Sequence, residues 1–168
     1  MMGEPRFLLD GMLGSLARWL RICGYEAKYI GDALDDDLLK LAGGGGLVLL
    51  TRDRLLFRKA QRAGIKGFLV EGEDDSGKLA SVSRRYGLRL SPQNSRCPEC
   101  GEHLRKASKE SLVSSIHTGT FEAYDDFWVC DSCGKVYWRG SHWENIVRTI
   151  EEASRVAGGV QGSSEHDL

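Results

Sequence analysis

Residues 6–24, RFLLDGMLGSLARWLRICG, decide how the first half of the chain is read. RFLLD is a short apolar run ending in an acid, which suits a buried strand that delivers a carboxylate to its C-terminal edge. Gly11 permits a tight turn. From Leu13 onward, Leu16, Ala17, Trp19, Leu20 and Cys23 recur at helical spacing until Gly24 supplies the stop.

Strand and helix go on alternating downstream, without an internal sequence repeat beyond the two cysteine pairs. Lys28 to Ile30 suits a second short strand, and Asp35, Asp36 and Asp37 form an acidic helix start ahead of Leu38, Leu39, Leu41 and Ala42. The glycines at 43–46 end that helix, and Leu47 to Leu50 is a continuous apolar run of the kind buried on both faces of a sheet. It closes in Thr51-Arg52-Asp53. Leu55 to Ala63 then reads as a helix, Gly67 to Val70 as a strand and Lys78 to Tyr86 as a helix stopped by Gly87. This alternation predicts an α/β domain, a parallel sheet with helices on both faces. Ligands of such sheets bind outside the carboxyl ends of the strands, where Asp10 and Asp53 both fall.

The second half is organised by cysteines. Ser91 to Ser95 is polar and turn-rich, so the reading divides the chain into an α/β domain over 1–91, a metal module over 92–145, and a helix end and flexible tail over 146–168. A last helix is expected over 141–156. Cys97, Cys100, Cys130 and Cys133 follow C-x2-C-x29-C-x2-C, with Gly101 and Gly134 each placed just after a pair. Two such turns complete the tetrahedral shell of a zinc ribbon, and four thiolates leave no open position, so the zinc is structural. A strand pair from Ser108 to Trp128 is expected to absorb the long spacing. His103, His117 and His142 are not needed as ligands. Tyr137, Trp138 and Trp143 are read as core of this small module, with base stacking as the alternative. Cys23 remains as a core thiol.

Composition agrees with a globular chain: of 168 residues, 41% are apolar and 28% charged. The net charge of -1 hides an asymmetry, because residues 1–90 carry 15 Lys/Arg against 12 Asp/Glu (+3) and residues 91–168 carry 8 against 12 (-4). Any basic surface is therefore expected in the first half. The opening MMGEPRFLLDG has no basic stretch followed by a long apolar one, and no run reaches membrane-spanning length, so a cytoplasmic chain without a membrane partner is expected.

Asp10 and Asp53 at neighbouring strand ends, with one acid of the 35–37 triplet nearby, would crowd negative charge into one cleft. Mg²⁺ or Mn²⁺ relieves such repulsion, activates water and stabilises displacement at a phosphodiester, which is the logic of a metal-dependent nuclease. Against this stand helix capping by the triplet, pairing of Asp10 with Arg6, and pairing of Asp53 with Arg52 or Arg54. Arg18 and Arg21, and beyond Thr51 Arg52, Arg54, Arg58 and Lys59, are the candidate phosphate contacts. Ser15 and Thr51 serve either as local caps or to orient a water or phosphate.

FLLDGMLGSLARWLRICGYE, DDDLLKLA, LLTRDRLL, SRCPECG and CDSCGKVYWRGSHW occur in this order, and with them the chain resembles the Mut-seven C-terminal RNase family over roughly residues 6–146. The resemblance implies a PIN-like parallel sheet flanked by helices, with an appended zinc ribbon. It also implies endoribonuclease activity, RNA as partner, and catalytic acids at Asp10, Asp53 and the acid before D-L-L. By spacing to Leu38 that acid is Asp35, with Asp36 and Asp37 as alternatives, and a fourth acid at Asp74 or Asp75 is left open. The ribbon would be structural and would aid RNA binding. The competing function is a zinc-ribbon module that binds RNA or protein without catalysis. An aspartyl phosphohydrolase would need a second Asp two positions after Asp10, where Met12 stands.

Overall fold

The structure, a computed structural model, describes residues 3–166. β1 (Phe7–Leu9) passes through one 3₁₀ turn at Gly11–Leu13 into α1 (Gly14–Ile22). β2 (Ala27–Tyr29), α2 (Asp35–Gly45), β3 (Val48–Thr51), α3 (Arg54–Arg62), β4 (Gly67–Leu69) and α4 (Asp75–Tyr86) follow. The four strands pair in parallel in the order β2-β1-β3-β4. The α/β reading is correct, and the expected helix over 78–86 starts one turn earlier because Asp74 caps it, accepting from the Gly77 amide at 2.8 Å.

Both faces of the sheet are covered, and strand alternation assigns each residue to one of them. Phe7 and Leu9 join Val48 and Leu50 in one core with Leu16, Leu20 and Leu79, while Leu8 and Leu49 join Leu38, Leu56 and Ala60 in the other. Phe7, Leu8 and Leu9 are wholly buried, which explains why β1 is apolar without alternation.

β5 (Leu104–Ala107), β6 (Phe127–Cys130) and β7 (Val136–Tyr137) form an antiparallel sheet in the order β5-β6-β7. The expected strand pair over 108–128 is absent. A 3₁₀ turn at Lys109–Leu112 and α5 (Thr118–Ala123) occupy that stretch instead. Its apolar residues Leu112, Ile116, Phe121 and Tyr124 recur every three to five positions rather than every two. Leu112 folds back onto Ala107, Phe127 and Val129 to close a small core of the ribbon.

α6 (Trp143–His166) returns to the first unit, setting Ile150 and Ala153 into the core that also holds Leu79 and Ala80 of α4. It runs past the end expected near residue 156. Of the expected polar tail, Asp167 and Leu168 lie outside the described residues. The ribbon is thus held at both ends by the α/β unit. Among the described residues no helix is long and apolar enough to cross a membrane.

Arg21 of α1 binds the two units together. It is 6% exposed, and it donates from Nε to the Ala27 carbonyl at 2.8 Å and from Nη1 to the Pro98 and Glu99 carbonyls at 2.9 and 3.2 Å. Burial lowers its pKa against the pull of Cys100, Cys97 and Glu99. We expect Arg21→Ala, which strands these carbonyls, to lower the unfolding free energy in urea by about 2–3 kcal/mol. Lys in its place should recover little, because one ammonium cannot reproduce the planar fork.

Candidate active site and metal centre

The strand order reverses direction between β1 and β3, and a crevice opens at the carboxyl ends of strands that part in this way. Asp10 follows β1 and Asp53 lies two residues beyond β3. Thr51, wholly buried, joins them. Its hydroxyl donates to Asp10 Oδ2 at 2.9 Å and accepts from the Asp53 amide at 2.9 Å. Asp10 Oδ1 accepts from the Gly11 amide at 2.6 Å, and Asp53 Oδ1 caps α3 by accepting from the amides of Leu55 and Leu56 at 2.9 and 3.3 Å. Neither acid makes the expected competing ion pair with Arg6, Arg52 or Arg54 among the described residues. Gly11 has to be glycine, since a Cβ there would lie 2.7 Å from the Gly31 carbonyl oxygen. The Tyr29 hydroxyl donates to the Gly11 carbonyl at 2.7 Å and draws the end of β2 to the same place.

The remaining acids are distributed along this edge. Asp35 opens α2 and pairs with Lys59 of α3 at 3.3 Å, so it reaches across to the helix that Asp53 caps. Asp36 and Asp37 are exposed on the same turn. Asp74 is occupied as a helix cap, whereas Asp75 accepts from Ser15 Oγ at 3.0 Å and from Trp19 Nε1 at 3.1 Å, which ties it to α1. Only the four cysteines, among the described residues, bring three or more possible metal ligands within 4.8 Å of one another. The carboxylates therefore do not form a closed cage of three or more.

Of the six candidate phosphate contacts, Lys59 pairs with Asp35, and Arg18, Arg21, Arg52 and Arg54 separate. Arg18 is exposed and pairs with Glu99 at 3.3 Å, and Arg54 is exposed at the first turn of α3. Arg52 donates to the carbonyls of Val70 and Gly72, which fastens the loop after β4. Arg21 departs furthest from a phosphate-binding role, being buried against carbonyls, a use that helical spacing alone gave no sign of.

The cysteines form two matching knuckles. The Gly101 amide donates to the Cys97 carbonyl and the Gly134 amide to the Cys130 carbonyl, both at 2.8 Å, with φ of 83° and 80° at the two glycines. Sγ separations of 3.6 Å for Cys97–Cys133 and 3.4 Å for Cys100–Cys130 approach the edge of about 3.8 Å of a tetrahedron with zinc–sulfur bonds of about 2.3 Å. Four cysteines are thus positioned to bind zinc. Burial opposes ionisation of Cys97, but the Tyr137 hydroxyl, donating to its Sγ at 3.0 Å, and the knuckle amides bring it down to about 7. Burial and the neighbouring thiols push Cys100 up to about 12. Such a set carries four negative sulfurs only around a cation. Burial likewise pushes the Cys23 thiol up to about 12, as expected of a core cysteine.

The family model described as Mut7-C RNAse domain matches residues 5–150, so the chain belongs to that family. Neither the comparison with curated proteins nor that with solved structures finds a match.

Two outcomes follow from this geometry. Tyr137→Phe should weaken zinc binding by about 10-fold or more in competition with a chelating dye, because an outer partner of a ligating thiolate is lost. Thr51→Val, which preserves shape but strands Asp10 Oδ2 and the Asp53 amide, should cost about 1–3 kcal/mol in chemical denaturation.

Proposed function

We propose that this chain is a Mg²⁺- or Mn²⁺-dependent endoribonuclease whose reaction takes place at the Asp10–Asp53 edge, with the zinc confined to structure. The observation that carries this reading is the Thr51 hydroxyl, which joins the Asp10 carboxylate to the Asp53 amide at the point where the sheet order reverses. Membership of an RNase family supports the reaction class. The donor set, carboxylate oxygens with one oxygen of Asp53 lacking a protein partner among the described residues, suits a hard divalent ion.

A bound Mg²⁺ or Mn²⁺ supplies an activated water and compensation for charge building on the phosphate. The protein's own part is positioning. Thr51 and the Gly11 amide fix the orientation of Asp10, and the start of α3 fixes Asp53. Asp35 lies on the same edge, held by Lys59, and is the third acid of this reading in preference to Asp36 or Asp37. Arg54, exposed at the start of the helix that Asp53 caps, and Arg18, exposed on α1, are the cations assigned to a phosphate backbone in this reading.

The test is cleavage of end-labelled RNA by the zinc-loaded protein with and without added Mn²⁺, leaving out chelators that would also strip the ribbon. Asp10→Asn and Asp53→Asn should each slow cleavage by about 100-fold or more while RNA is still bound. Variants that cut as fast as the parent would rule out this site. RNA binding by a parent that never cuts would identify the chain as a binding module.

A further inference from the structure

Between α1 and the ribbon lies an open cleft of about 820 Å³, within the size range of ligand sites. Trp19 and Arg18 of α1 form one wall, and Arg96, Tyr137 and Trp138 of the ribbon form the other. Trp143 at the start of α6 and Asp75 of α4 also line it. The aromatic residues that a small module would be expected to bury are here the lining of a cavity, since the ribbon's core is made by Ala107, Leu112, Phe127 and Val129.

Each ring is held in place before any ligand arrives. Trp19 donates Nε1 to Asp75 at 3.1 Å, and the Tyr137 hydroxyl is fixed on Cys97 Sγ at 3.0 Å. The Arg139 guanidinium lies 4.6 Å from the Trp143 ring centroid. Trp138 lies against Gly140, where a Cβ would come within 2.7 Å of its Nε1, and Phe127 stands behind it at 6.2 Å. Supported in this way, Trp138 remains 38% exposed. Rings immobilised but uncovered offer stacking area at small ordering cost.

The charges fit one kind of occupant. Arg18, whose Nη1 pairs with Glu99 at 3.3 Å, and Arg96, whose Nη1 donates to the Gly101 carbonyl at 3.0 Å, each keep further guanidinium donors suited to a phosphate, and Asp75 is the lining's acid. One oxygen of Asp75 already accepts from Ser15 and Trp19, and the other has no partner among the described residues, which leaves an acceptor for the N–H of a base. Paired RNA keeps its bases in the duplex, whereas unpaired RNA can offer a base to aromatic rings and a phosphate to arginine. Ser15 lines the cleft, and one 3₁₀ turn at Gly11–Leu13 separates its helix from Asp10.

We propose that this cleft seats one unpaired nucleotide of an RNA strand, its base against Trp138 and its phosphate toward Arg18 and Arg96, with the strand continuing across the Asp10–Asp53 edge. The course of the strand rests on the nuclease reading above, while the seat itself does not. It also gives the zinc an indirect task, because the metal holds the wall that carries Tyr137 and Trp138.

The measurement is fluorescence anisotropy of a labelled unpaired oligoribonucleotide with the zinc-loaded full chain and no added Mg²⁺ or Mn²⁺. Binding should quench tryptophan emission, and an RNA duplex of equal length should bind more weakly. Trp138→Ala should weaken binding about 10-fold or more, and Trp138→Phe should retain most of it. Trp138→Leu, which keeps apolar bulk without the ring, should lose binding with zinc content unchanged. Arg18→Gln should lower the salt slope by about one. Parent-like affinity in Trp138→Leu, equal affinity for duplex, or an acidic peptide bound as tightly through Trp138 would each overturn the proposal. A parent that binds in this manner yet cleaves no RNA with Mn²⁺ would remove the nuclease reading alone, so the two failures are distinct.

Discussion

Arg21 shows what the arrangement of this molecule depends on. A guanidinium taken out of water is unfavourable unless its donors are met, and here Nε is met by Ala27 on the α/β unit and Nη1 by Pro98 and Glu99 on the first knuckle of the ribbon. The close approach extends to backbone, since a Cβ on Gly101 would stand 3.0 Å from Arg21 Nε. α1 therefore carries two loads. Its buried stripe of Leu16, Ala17 and Leu20 packs onto the sheet, and its Arg21 holds the zinc knuckle.

That coupling determines what the other parts can do. Four sulfurs positioned for zinc would leave a bound ion no place for a reacting water, so its contribution would be mechanical. With the knuckle fixed to α1 and α6 returning to α4, the two walls of the aromatic cleft cannot drift apart without breaking buried contacts. The acidic edge is made differently, from main-chain direction and one hydroxyl. Strand ends bring Asp10 and Asp53 to the same side, and Thr51 sets their relation.

Some of this was legible in the residues because it is local. The double knuckle is encoded in four cysteines and two glycines, and the strand–helix alternation in runs whose period differs between the two states. Family membership over residues 5–150 agrees with the resemblance carried by those motifs. The 108–128 stretch misled because its length was assigned to strands when its apolar spacing belongs to turns and a short helix that close over Phe127. Asp35 could be preferred within its triplet by spacing, but the partner that distinguishes it in space is Lys59, 24 residues away.

The sequence by itself therefore determined the α/β order, the ends of most elements, the zinc ligands and the placing of Asp10 and Asp53 at strand ends, all of which follow from periodicity, capping and short-range spacing. Only the tertiary structure decided that Arg21 is a buried strut, that Asp75 belongs to α1 through Ser15 and Trp19, and that Tyr137, Trp138 and Trp143 line a cavity. The physical reason is that whether an arginine, an acid or an aromatic ring meets solvent, a carbonyl or another ring depends on chain segments distant in sequence. Hydrophobic period records which side of an element is covered, but not what covers it.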